Sequence, residues 1–136
     1  KLSKSLSYWE NQLKNAPTYN NLPTDYQRKK KPSFKGKQFL YELSDELVYQ
    51  IEKLIKKQNV TLFVFLISCL QILLSKYSRQ KDIVIGFPIA NRHYLGTEDL
   101  IGFFVNTLPL RVQLEDNLSF KVALILQLIN RQCDSM

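Results

Sequence analysis

No charged residue stands between Lys57 and Lys76, and the β-branched run 82–89 follows soon after; together these two stretches leave few folds open to the chain. Within the interval, Leu62-Phe63-Val64-Phe65-Leu66-Ile67 is continuously apolar. A bilayer span needs about 20 apolar residues, whereas Gln58, Asn59, Thr61, Ser68, Gln71 and Ser75 interrupt this one. It reads instead as a core helix over 61–77 capped by Thr61, with Phe63, Ile67, Leu70, Leu74 and Tyr77 at the helical period. Ser68, Gln71 and Ser75 leave only a thin polar stripe, so the helix is expected to be buried on most of its surface. The run Asp82-Ile83-Val84-Ile85-Gly86-Phe87-Pro88-Ile89 fits a strand covered on both faces. A buried helix leading into a buried strand is α/β grammar.

The flanking segments extend this pattern. Leu2, Leu6, Trp9 and Leu13 predict an amphipathic helix over about 3–14, which Ala16-Pro17 ends. Residues 15–36 carry three prolines and a basic run, and read as an extended linker or lid. Phe39, Tyr41 and Leu43 alternate with Gln38, Leu40 and Glu42, which predicts a strand over 37–43. Ser44 is a candidate N-cap for a helix over 45–57, with Asp45 and Glu46 at its positive end. A single helical turn at 98–101 is expected before Gly102. Asn106, Leu108, Leu110, Val112 and Leu114 share one face of a strand in which Pro109 demands an edge or a bulge. Ser119 would cap a last helix through Phe120, Ala123, Leu124 and Leu128. The strands 37–43, 82–89 and 106–114 are expected in one sheet, with helices 45–57 and 61–77 packed on it.

Hydrophobic residues make up 45% of the 136 and charged residues 23%, which excludes a disordered chain and bounds it to one ordinary domain. The net charge of +7 is concentrated: residues 1–81 hold 15 Lys and Arg against 6 Asp and Glu. Arg28-Lys29-Lys30-Lys31, Lys35 and Lys37 could attract phosphates, but without interleaved aromatics or a helix-turn-helix the solvated-loop reading is preferred to a nucleic-acid-binding module. Cys69 and Cys133 are too few and too far apart for a disulfide scaffold, and no signal-peptide pattern is visible, so a reducing, cytoplasmic setting is expected. The single histidine, His93, and the absence of CxxC pairs leave no metal site. Phosphate-cradling loops and a nucleophile elbow are also absent. Two features remain chemically pointed. Arg92 leaves a buried strand just after Gly86-Phe87-Pro88, where a guanidinium needs a partner. Asn106 and Thr107 stand at a strand entry, where their side chains can bond backbone groups.

Three segments, in order, resemble the condensation domains of nonribosomal peptide synthetases. The first is Tyr8-Trp9-Glu10-Asn11-Gln12-Leu13 with Leu22-Pro23-Thr24-Asp25. The second is Thr61-Leu62-Phe63 leading to Leu74-Ser75-Lys76-Tyr77-Ser78, then Asp82-Ile83-Val84-Ile85-Gly86 and Pro88. The third and most specific is Ile101-Gly102-Phe103-Phe104-Val105-Asn106-Thr107-Leu108 with Arg111, similar to the family's (I/V)GxFVNT…R motif. The resemblance implies a partial chloramphenicol-acetyltransferase-like α/β fold, with helices packed on a mixed sheet. Residues 1–36 would form a helix and connection, and residues 37–136 part of the C-terminal subdomain.

The resemblance further implies amide formation between carrier-bound acyl and aminoacyl thioesters. The family's His-His-x-x-x-Asp-Gly motif belongs to the first half, and this sequence has no His-His pair. No catalytic residue is therefore expected here, and the chain alone is expected to be inactive. By resemblance Arg92, Asn106 and Thr107 line the tunnel or cleft, with Arg92 pairing the motif's Asp. Gly86, Pro88, Gly102, Phe104, Val105 and Arg111 would be structural. No cofactor is expected to bind directly; 4′-phosphopantetheine would arrive on carrier domains. The expected partners are those carriers, the adjacent adenylation domain and the missing N-terminal half, with no nucleic acid and no membrane. An epimerization or heterocyclization relative is the alternative within the superfamily, and the plain Phe-Val-Asn-Thr favours ordinary condensation.

Overall fold

The computed structural model describes residues 2–27, 30–31, 33–90, 92, 96–97 and 99–114. Three helices precede two strands: α1 (Leu2–Leu13), α2 (Asp45–Gln58), α3 (Leu62–Ser78), β1 (Asp82–Ile89) and β2 (Asn106–Gln113). The helix ends follow the caps. Ser44, in extended backbone, accepts from the Leu47 N–H, and Asp45 and Glu46 fill the first turn of α2. Asn59 takes the left-handed conformation at φ 51°; its N–H bonds Lys56 O, and the Val60 N–H bonds Ile55 O. That Schellman pair satisfies the last carbonyls of α2. Thr61 then accepts from the Val64 N–H at 3.2 Å and starts α3. The two helices therefore bend by 103° across three residues, and among the described residues no single helix is long and apolar enough to cross a membrane.

β1 and β2 form a two-stranded antiparallel sheet in which Asp82 faces Gln113 and Ile89 faces Asn106. Leu114 N–H donates to Lys81 O at 2.7 Å, which sets the alternation of hydrogen-bonded and open pairs along the ladder. Pro109, opposite Gly86, and Pro88, opposite Thr107, then both fall at open pairs. Their missing N–H groups point away from the ladder, so neither proline costs a rung, as edge strands permit. Val64, Leu110, Val112 and Leu114 form the buried cluster, joined by Val60, Phe65, Ile67, Ile72, Ile85 and Phe87.

Several expectations are corrected. Residues 37–43 run extended but outside the sheet, with Phe39, Leu40 and Tyr41 exposed. Apolar alternation marks a segment able to pair, but the ladder needs a neighbour, and β1 and β2 pair only with each other among the described residues. α2 buries none of its residues and packs on α3 rather than on the sheet. β1 is covered less than a two-faced strand: Ile83 is buried, while Gly86 and Pro88 are exposed.

The burial of α3 is the reverse of the pattern expected. Its buried residues are Val64, Ser68, Gln71 and Ser78, while Leu62, Leu66, Leu70 and Leu73 are exposed. The polar stripe lies against the sheet, but only Gln71 reaches it: Gln71 Nε2 donates to Leu110 O at 3.3 Å while its buried Oε1 has no partner among the described residues, and Ser68 Oγ donates within the helix to Val64 O at 2.6 Å. Ser75 Oγ donates to Gln80 O at 2.6 Å at the helix end. Residues 99–102 contain no helical turn. The helix expected from Ser119 and the histidine His93 lie outside the described residues.

Candidate functional site

Two clusters of polar contacts sit at opposite ends of the hairpin. At the end where β1 leaves and β2 enters, Arg92 is half-buried. Its Nη1 donates to Thr97 O and to Leu100 O (3.0 Å), and Nη2 donates to Gly102 O (3.5 Å). The guanidinium carbon lies 4.4 Å from the centre of the Phe104 ring. Among the described residues, then, the charge is held by main-chain carbonyls and a π face. This is an arrangement worth about 0.5–2 kcal/mol for the ring alone. Among the described residues the Nη1 edge of the fork is used by carbonyls, while the Nε–Nη2 edge, the one that suits a carboxylate side-on, carries one long bond.

The glycines explain how the ring gets there. A Cβ on Gly102 would lie 2.8 Å from Phe104 Cε2, so only glycine lets the ring fold back over residue 102. A Cβ on Gly86 would meet Thr107 Cγ2 at 2.9 Å, diagonally across the ladder, since Gly86 itself faces Pro109. Asn106 Oδ1 accepts from Thr107 N–H at 2.8 Å, closing the entry of β2 locally. The sequence-predicted residues Arg92, Gly102 and Phe104 are thus brought together, and Gly86 and Pro88 sit opposite Pro109 and Thr107. Asn106 and Thr107 share this end of the hairpin, and the bond between them is local. Val105 is exposed.

At the other end Arg111 is buried, and its role is larger than the motif alone indicates. Nε and Nη2 grip Asp82 Oδ1 and Oδ2 at 2.9 and 2.6 Å, and Nη1 donates to Gln12 O and Lys14 O, both at 2.8 Å. The fork therefore joins both strands to the carbonyls at the end of α1, where a cation also meets the negative end of the helix. The Arg111 hydrogen bonds hold the Asp82 carboxyl below the usual carboxylate range, against the opposing effect of burial, and Asp82 in turn raises Arg111.

The connection beyond α1 is fastened beside it. Gln80 Nε2 donates to Tyr19 O and Gln80 Oε1 accepts from Asn21 N–H, while Asn20 Nδ2 donates to Val84 O on the outer edge of β1. Sequence reasoning missed this stitching. Asp82 and Arg111 both stand in segments that carry the resemblance, but nothing in those segments pairs the two, and no pattern marks Gln80. No group of three or more His, Cys, Asp or Glu able to hold a metal occurs among the described residues. Cys69 is exposed on α3, with its thiol pushed up by partial burial.

Comparison with known proteins gives these geometries a context. The family model described as Condensation domain matches residues 1–135. Gramicidin S synthase 2 of Brevibacillus brevis is 38% identical over 120 residues, and tyrocidine synthase 3 of Brevibacillus parabrevis 42% over 105. These stretches cover 88% and 77% of the chain but only 3% and 2% of the respective synthases, so the chain spans a small part of the curated relatives it matches. Among solved structures, a four-domain nonribosomal peptide synthetase bound to AMP and glycine superposes with a TM-score of 0.83 at 27% identity, covering 96% of this chain and 10% of that one. The X-domain from teicoplanin biosynthesis gives 0.84 at 22% identity, covering 98% and 30%, a likeness of fold.

Proposed function

This chain belongs to the condensation-domain family, and from that premise we propose that it is the connecting segment and part of the second half of an amide-forming domain in a nonribosomal peptide synthetase. The carrying observation is the family match over residues 1–135, within which lies the Gly102-to-Thr107 segment that resembles the family's motif. In the reaction so assigned, the amine of an aminoacyl thioester attacks the carbonyl of an acyl thioester. The C–N bond forms, the C–S bond breaks, and the released thiol takes up the proton. Both thioesters would be carried on 4′-phosphopantetheine arms of carrier domains, with an adenylation domain loading the acceptor. The histidine pair that serves this step belongs to a half that this sequence does not contain.

In this reading Arg92 meets the aspartate of that histidine motif across the cleft. Its Nε–Nη2 edge suits a carboxylate, and removing a partner from such a pair costs about 3–5 kcal/mol. The test places Arg92→Ala and Arg92→Lys in a complete domain and measures single-turnover amide formation with thermal stability. Ala is expected to abolish most activity and Lys to lose part of it, because the planar fork is gone. An Ala variant as active and as stable as wild type overturns the assignment. The 136-residue chain alone, offered two loaded carriers, is expected to form no amide above the uncatalysed rate.

A further inference from the structure

The geometry around Gly102 gives a task to a residue that carries no polar group. We propose that Phe104 is the positioning residue for Arg92, and that Gly102 is glycine so that the Phe104 ring can serve as the floor beneath the guanidinium. This inference rests on the functional reading of Arg92 and adds how Arg92 is held.

Three observations converge. The guanidinium carbon lies 4.4 Å from the ring centre, within the range of a cation–π contact. The ring occupies the volume a side chain at 102 would need, since a Cβ there comes within 2.8 Å of Cε2 and 3.4 Å of Cζ. The carbonyls of Thr97, Leu100 and Gly102 accept from the same guanidinium, so the ring and the loop grip it together. A long side chain such as arginine loses much rotamer freedom when fixed. Carbonyls on the Nη atoms fix its reach, and the ring fixes its plane. With the plane fixed, the Nε–Nη2 edge is presented in one direction. A leucine at 104 would fill space without a π face, and the plane would be free to tilt.

The test is made in a complete condensation domain containing this chain, by single-turnover amide formation and thermal melting. Phe104→Leu and Gly102→Ala are each expected to slow amide formation about tenfold. Phe104→Tyr and Phe104→Trp, which keep an aromatic face, are expected to stay within about twofold of wild type. The double variant Arg92→Ala/Phe104→Leu is expected to be no slower than Arg92→Ala alone, because the ring then has nothing to position. If Arg92→Ala is slow while Phe104→Leu matches wild type, the positioning role is wrong and the functional reading of Arg92 stands. If Tyr and Trp are as slow as Leu, Phe104 acts through packing alone and the proposal falls. If Arg92→Ala itself matches wild type, the functional reading falls first.

Discussion

Asp82 carries one side of the contact that joins α1 to the sheet, and its ionisation gives that joint a pH dependence with a definite sign. The Arg111 hydrogen bonds lower its folded pKa. A lowered carboxylate contributes stability that is fully present above its unfolded value of about 3.9, and that is lost as pH falls through the folded value. Asp82 is about a quarter exposed, which weakens the pair by solvent screening. Asp82→Asn is therefore expected to cost about 1–2 kcal/mol in urea denaturation at pH 7. The gap to wild type should close as the pH is taken below about 4; a gap unchanged down to the acid transition would remove the charge from the explanation. Gly86 offers a steric test at the same scale. Gly86→Ala pushes a methyl against Thr107 Cγ2 and is expected to cost about 1–3 kcal/mol. Adding Thr107→Ser deletes the opposing methyl and should recover most of that loss, whereas strictly additive effects would place the strain elsewhere.

Among the elements, α3 shows how far a hydrophobic pattern can be trusted. Its boundaries were legible because Thr61 at one end and Ser78-Arg79 at the other are chemically marked, and α2 was legible for the same reason at Ser44 and Asn59. Which face of α3 meets the sheet was not legible. A helix apolar nearly all round gives no moment to choose by, and a deciding interaction is a hydrogen bond to β2 that spans 39 residues of sequence, from Gln71 to Leu110. The buried seam runs Val64, Ser68, Gln71, Ser78, and small hydroxyl side chains there let the helix approach closely. Ser68→Leu is accordingly expected to destabilise the chain by about 1–3 kcal/mol, although it makes the helix more apolar. Leu73→Ser on the opposite face, where Leu73 is half-exposed, is expected to cost less than half as much. Denaturant midpoints of the two variants decide between this orientation and one that turns the polar stripe to solvent. The strand expected at 37–43 failed for a related reason: alternation states that a segment can pair, but it cannot supply the neighbour.

Across the whole chain, the candidate site was partly legible and its support was not. Arg92, Gly102 and Phe104 were singled out by motif and strand context, and the structure joins them. Gln80, Asp82 and the carbonyls of Gln12 and Lys14 were not: backbone acceptors leave no trace in a sequence, and no spacing marks which distant partner the Gln80 and Asp82 side chains will meet. Their effect is to make residues 12–21 part of the same body as the hairpin, even though the stretch 15–36 reads as a linker. That matters to anyone recombining two parent synthetases. A crossover at 33–36, where the chain is exposed and Lys35 N–H bonds the neighbouring Ser33 hydroxyl, looks like the natural place to cut. Yet it sets residues 12–21 of one parent against Gln80, Val84 and Arg111 of the other, so every stitch becomes a contact between strangers. Of the stitches described above, a crossover at 16 divides the Arg111 bonds to Gln12 O and Lys14 O, and one ahead of Leu2 divides none of them. Hybrids should therefore melt highest when joined ahead of Leu2 and lowest when joined at 33–36, with a spread of about a few degrees. Equal melting temperatures for the three junctions would mean that the connection can be cut anywhere along its length.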